Sequence, residues 1–101
     1  MIKVYVEEKD NKIQEVLFKG HALYDEFGKD IVCASVSSII YTTINALKKI
    51  MEESIEVEDD SKMTIKILTE DEIVSKLIEN MMELLKSLEE DYPKNLNVKE
   101  S

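Results

Sequence analysis

The residues best suited to chemistry are crowded into one short segment, GHALYDEFGKDIVCASVSS, which spans residues 20–38. This segment holds the only histidine, the only cysteine and both glycines of the 101-residue chain. A cysteine thiolate is a nucleophile and an imidazole is the usual general acid and base, so Cys33 and His21 together could cleave a peptide bond. Each residue alone is more often a packing residue, so the surrounding elements must support the pair.

The residues around Cys33 predict the start of a helix. With Asp30 as its N-cap, Cys33 falls in the first turn, where free backbone N–H groups and the helix dipole favour a thiolate. The backbone N–H groups near Cys33 and Ala34 are then the best candidates for oxyanion donors. Ser37 lies one turn further along the same face, where its hydroxyl could orient the site or bond back to its own helix.

The residues between the histidine and the helix form a candidate substrate loop. Gly20 and Gly28 could act as its hinges, although Gly28 also suits an ordinary turn. The aromatic residues Tyr24 and Phe27 could line the space that the loop covers. Asp30 is the first candidate for a third catalytic residue, but its predicted capping role competes for the same carboxylate.

The elements that position these residues predict an α+β layered domain of order ββαββαβ, with a mostly antiparallel sheet and two long helices. Alternating apolar residues predict two hairpins, and Asp10 with Asn11 forms the turn of the first. Apolar residues at steps of three and four predict a first helix from Asp30 to Glu52 or Glu53. They also predict a second helix, which follows a capping box of Thr69 and Glu72 and reaches about Glu90. The predicted strands cover Ile2–Val6, Ile13–Lys19, Ile55–Val57, Met63–Ile67 and, at a sheet edge after Pro93, Leu96–Val98.

Composition bounds the remaining possibilities. A chain that is 44% hydrophobic can form one core, so residues 1–101 are expected to be a single domain. With no apolar run approaching a membrane span and no signal-peptide core, we expect a soluble, intracellular protein away from membranes. Thirteen basic and 22 acidic residues give a net charge of −9, which disfavours direct binding of nucleic acid and favours a basic protein partner. One histidine, one cysteine and two glycines predict no zinc site, no phosphate-binding loop and no cofactor.

The segment also resembles a known family. GHA, an aromatic-containing loop and GKDIVCASVSS are similar to the motif of the ribosomal-processing cysteine protease (Prp) family, across residues 20–37. The resemblance implies that His21 and Cys33 are the catalytic pair, that Asp30 and Ser37 support the site, and that residues 22–29, from Ala22 onward, form a mobile substrate loop. Leu23 stands where a glycine is common in the family, and Ser35 replaces a usual alanine.

By this resemblance the protein is a small homodimeric, cytoplasmic endopeptidase that removes an N-terminal extension from a large-subunit ribosomal protein during ribosome assembly. Ribosomal proteins are basic, so the acidic charge of the chain suits such a substrate. Two alternatives remain open at this point. One is a non-enzymatic, ribosome-associated binding module with an acidic surface, and the other is a thiol redox sensor that uses an exposed Cys33.

Overall fold

The computed structural model describes residues 1–20, 27–60 and 62–100, and for residues 27–30 it describes the backbone alone. The element order is ββαββαβ, which confirms the predicted α+β class. A short 3₁₀ turn, Glu52–Ser54, follows the first helix. The elements are β1 (Ile2–Lys9), β2 (Lys12–Lys19), α1 (Phe27–Ile50), β3 (Ile55–Asp59), β4 (Met63–Ile67), α2 (Glu72–Asp91) and β5 (Leu96–Glu100).

The first hairpin forms as predicted. Asp10 and Asn11 have φ values of 54° and 65°, and two consecutive residues with positive φ make the turn that matches the twist of a two-residue hairpin. Aspartate and asparagine tolerate this conformation better than most residues. The pairing of Val6 with Val16 then places both side chains on the buried face of the sheet.

The five strands form one sheet in the order β3-β4-β2-β1-β5. Three neighbouring pairs are antiparallel, while β5 runs parallel to β1 at the edge. The edge position of β5 is confirmed, but its parallel pairing was not predicted. Glu89 of α2 accepts a hydrogen bond of 3.0 Å from the backbone N–H of Val98, which ties this edge strand to the helix.

Both helices contribute to a single core on one face of the sheet. The inward strand residues alternate as predicted, and α1 and α2 each add an apolar stripe. Ile50 and Leu84 belong to the predicted stripes but are 51% and 46% exposed, so they do not contribute to this core. The buried helical residues are Val32, Val36, Ile40, Ile44 and Leu47 of α1 and Val74, Ile78, Met81, Met82 and Leu85 of α2.

The predicted capping box of α2 is wrong in its residues. Asp71 is the N-cap, and its Oδ1 accepts hydrogen bonds from the backbone N–H groups of Ile73 at 2.9 Å and Val74 at 3.1 Å. The Thr69 hydroxyl instead accepts a bond of 3.2 Å from the N–H of Asp71. Threonine and aspartate both favour the cap position, and Asp71 is the one that lies immediately before the helix.

One helix in the described part of the chain, over Ile31–Ile50, is long and apolar enough to cross a membrane by length and composition, with a mean hydropathy of 1.3. The expectation that no apolar stretch approaches the length of a membrane span is therefore wrong for this helix. Its buried residues belong to the core that the helix shares with the sheet, while Ile31 and Ile50 at its two ends are more than half exposed.

Candidate active site

Gly20 fixes the point at which the chain leaves β2, immediately before His21. Its φ of +86° is a conformation that residues with side chains rarely adopt. A Cβ built on Gly20 would lie 2.3 Å from the carbonyl oxygen of Met1, which is far inside contact distance. Gly20 was predicted as a loop hinge, and the structure gives it a steric role at the strand end.

Several predicted site residues lie outside the described residues. His21, Ala22 and Tyr24 are among them, so the distance between the imidazole and the thiol is not part of the description. The backbone of Phe27 and Gly28 is helical and belongs to the first turn of α1. The predicted turn role of Gly28 is therefore wrong.

The first helix begins at Phe27, three residues before the predicted start. Asp30 is consequently the fourth residue of α1 and not its N-cap, which corrects the prediction. An aspartate is favourable anywhere in the first turn because of the helix dipole, so its presence did not distinguish the cap from the turn. The glycine at position 28 lowers helix stability by about 1 kcal/mol but does not stop the helix.

The earlier start changes the surroundings of the thiol. Cys33 is the seventh residue of α1, and only the first four N–H groups of a helix lack partners within it. The N–H groups of Cys33 and Ala34 are therefore used by the helix, and the prediction that they are free oxyanion donors is wrong. The helix dipole acts mainly within the first turn, and Cys33 lies beyond that turn.

Cys33 lies at the border between the core and the surface. Its side chain is half-buried and packs against the core, beside the buried residues Val32 and Val36. Ala34, on the other side of the thiol along the chain, is exposed. The Cys33 side chain is thus partly packed against the core and partly accessible, as a nucleophile requires.

Ser37 lies one turn after Cys33 on the same flank of α1 and is also half-buried. Its hydroxyl makes no hydrogen bond within the part of the chain that the structure describes, so it does not bond back to its own helix. Thr43 behaves differently, since its hydroxyl donates to the carbonyl of Ile39 at 2.9 Å. No described residue therefore occupies the Ser37 hydroxyl, which suits a hydrogen bond to a group in the site.

Tyr41 continues this flank one turn beyond Ser37 and was not predicted as a site residue. Its hydroxyl donates to Asp59 Oδ2 at 3.3 Å, which links α1 to the end of edge strand β3. Desolvation, the negative charge of Asp59 and this hydrogen bond together raise the pKa of Tyr41 above its ordinary value of 10.0. The four-residue spacing after Cys33 and Ser37 was the available signal, but the contact with Asp59 depends on the tertiary fold.

Metal ligands do not cluster in the described regions. Within residues 1–20, 27–60 and 62–100, no group of three histidine, cysteine, aspartate or glutamate side chains is placed to hold a metal ion. On this flank of α1, the described side chains that suit chemistry are the thiol of Cys33 and the hydroxyls of Ser37 and Tyr41.

The chain is similar in sequence to known proteins along most of its length. A family model described as cysteine protease Prp matches residues 1–97. The ribosomal processing cysteine protease Prp of Staphylococcus aureus is 29% identical, over 97% of this chain and 97% of its own length. The protein of the same name in Mycoplasma pneumoniae is 38% identical, over 73% of this chain and 74% of its own length.

A solved structure agrees with the fold. The crystal structure of the essential ribosomal processing protease Prp from S. aureus, in complex with a covalently linked product peptide, superposes with a TM-score of 0.91. It is 26% identical in sequence, and the match covers 100% of both chains. Since the family model, the relatives and this structure all match most or all of the chain, the protein belongs to the Prp family of cysteine proteases.

Proposed function

We propose that this cysteine protease removes the N-terminal extension of a large-subunit ribosomal protein during ribosome assembly, with Cys33 as nucleophile and His21 as general acid and base. The observation that carries the proposal is that the chain has a single cysteine. A cysteine protease needs a thiolate, and Cys33 is the only cysteine in the chain. The relatives are named ribosomal processing proteases, which supports the substrate class.

The proposed reaction is acyl transfer in two stages. The Cys33 thiolate adds to the scissile carbonyl carbon, and the C–N bond then breaks as the His21 imidazolium gives its proton to the leaving amine. In the second stage His21 takes a proton from water, which attacks the thioester. The C–S bond breaks, and the sulfur leaves as the thiolate beside the imidazolium.

The position of Cys33 in α1 supports His21 as the group that activates the thiol. Since the thiol lies almost two turns into the helix, we infer that His21, and not the helix N-terminus, promotes its deprotonation. Asp30 remains the first candidate to orient His21, because the structure removes its predicted capping role. Ser37 is proposed to support the site through its hydroxyl, which makes no hydrogen bond with the described residues.

The assembly and location of the protein are further parts of the proposal. We propose a homodimer that acts in the cytoplasm, where it meets the basic ribosomal protein before or during assembly without binding nucleic acid directly. Exposed apolar side chains support self-association: Ile50 ends α1, Leu68 follows β4 and Ile73 is the second residue of α2. The backbone hydrogen bond from Leu68 N–H to the Ser54 carbonyl keeps the segment after β4 close to the turn that follows α1.

The two alternatives have lost their basis. Membership of a protease family contradicts a non-enzymatic binding module. A thiol redox sensor needs no histidine partner and no peptide substrate, and nothing in the described part of the chain favours it over the protease.

The decisive experiment incubates the purified protein with the extended ribosomal protein and follows loss of the extension by mass spectrometry. The wild type should cleave at one site, while Cys33→Ala should be inactive and His21→Ala should lose about 10²- to 10⁴-fold in kcat/KM. Ala46→Ser, a conservative change elsewhere on α1, is the control. Cleavage by Cys33→Ala at the wild-type rate would refute the proposed nucleophile.

A further inference from the structure

A groove lined by both apolar and charged side chains lies at the end of the sheet opposite Gly20. It has a volume of about 720 Å³ and runs between the tip of the β1–β2 hairpin and α2. Ile78 and Met82 of α2 are almost fully buried at its floor, with half-buried Ile13 and Ile67 contributed by the sheet. Neither Cys33 nor any other residue of α1 whose side chain is described lines this groove.

The rim of the groove carries negative charge. Six glutamates and three lysines line it. Two of the lysines are already neutralised within the domain, Lys76 by Glu72 at 3.6 Å and Lys86 by Glu100. Against the remaining Lys12, four lining glutamates make no ion pair with any described residue: Glu8, Glu70, Glu79 and Glu83.

We propose that this acidic groove docks a basic, amphipathic segment of the ribosomal-protein substrate, located in the body of that protein after the cleavage site. The inference rests on the proposed function for the identity of the partner. Charge complementarity selects this occupant, because apolar side chains can cover the floor while lysine or arginine meets the unpaired glutamates. A second copy of this chain is disfavoured, since a two-fold contact would bring two acidic rims together.

The distance to the candidate active site gives the proposal a sharp test. Lys12 begins β2 at the groove and Gly20 follows its other end, so the two are roughly 26 Å apart at 3.3 Å per residue. An extended substrate needs about eight residues after the scissile bond to cover such a distance. A peptide that ends about six residues after that bond can be cleaved but cannot reach the groove.

The test compares this short peptide with the full-length precursor. The variant Glu79→Gln/Glu83→Gln removes two charges from the rim with little effect on helix propensity. The matched control, Glu90→Gln/Asp91→Asn, removes two exposed charges from the same helix outside the groove. Steady-state kinetics are measured for both proteins and the wild type at low and high salt, with circular dichroism to verify folding.

For the full-length precursor we expect the groove variant to lose about 3- to 10-fold in kcat/KM, mainly through KM, and to become less sensitive to salt. The short peptide should be cleaved equally by all three proteins. Equal rates on the precursor, or an equal loss on both substrates, would overturn the groove proposal. If the wild type cleaves neither substrate, the proposed function fails instead, so the two failures are distinguishable.

Discussion

At the scale of single residues, Gly20 has the clearest physical constraint next to the candidate site. Gly20→Ala combines a strained positive φ with a contact of 2.3 Å to the Met1 carbonyl, so we expect a loss of about 1–3 kcal/mol in the free energy of unfolding. Because the next residue is His21, kcat should also fall. Urea denaturation and steady-state kinetics measure the two effects.

The other glycine provides the control for this prediction. Gly28 has a helical backbone in α1, where alanine is favoured over glycine by about 0.5–1 kcal/mol. Gly28→Ala should therefore stabilise the protein, with the opposite sign to Gly20→Ala. If the two substitutions had the same effect, the conformational argument at Gly20 would be wrong.

The substitution Ser37→Ala distinguishes a role of this residue in the site from a role in the stability of the fold. Its hydroxyl makes no hydrogen bond with the described residues, so Ser37→Ala should change the free energy of unfolding by less than about 0.5 kcal/mol. If the hydroxyl bonds a group in the site during the reaction, its loss should lower kcat roughly fivefold, corresponding to about 1 kcal/mol. The measurement pairs thermal unfolding with kinetics, and unchanged kcat would exclude Ser37 from the site.

At the scale of elements, the Tyr41 hydroxyl links α1 to β3 through Asp59, and the contribution of this contact to stability depends on pH. The pKa of Tyr41 is raised in the folded state, so the folded protein holds this proton more tightly than the unfolded chain. The stabilisation is therefore fully present below the ordinary pKa of 10.0 and is lost as the pH rises through the folded value. Stability should fall less steeply above about pH 10 in Tyr41→Phe than in the wild type.

Denaturant unfolding between pH 8 and 11 tests this prediction, with Asp59→Asn as the companion variant. Asp59 supplies the negative charge beside the Tyr41 hydroxyl, so its substitution should also make the alkaline loss of stability less steep. A Tyr41→Phe profile parallel to that of the wild type would show that the contact with Asp59 does not contribute.

Local patterns predicted most of these elements, and the failures have local causes too. Alternation and the Asp10–Asn11 turn determine the first hairpin because every relevant contact is close in sequence. The start of α1 was misplaced because aspartate suits both a cap and a first turn, and that error moved Cys33 from the first turn to the seventh position. The parallel pairing of β5 with β1 joins the two ends of the chain, which no local pattern encodes.

At the scale of the whole molecule, the proposed chemistry and the acidic groove lie at different ends of the sheet. Gly20 and the chain towards His21 lie at one end, while the groove lies at the hairpin tip. The chain has a net charge of −9, and the glutamates of the groove can attract a basic substrate at a distance from the nucleophile. Cleavage of a full-length substrate should therefore depend on salt more strongly than cleavage of a short peptide.

The proposed homodimer must overcome this same charge, so its interface is expected where apolar side chains are exposed. Leu68 and Ile73 are 56% and 57% exposed near the end of α1. We expect Leu68→Lys/Ile73→Lys to sediment as a monomer at concentrations where the wild type is a dimer, because two lysines per copy would be buried unpaired. Leu84→Lys, also at an exposed apolar position on α2, is the control and should stay dimeric. A monomeric wild type at tens of micromolar would contradict the dimer, whereas a dimeric double variant would place its interface elsewhere on the domain.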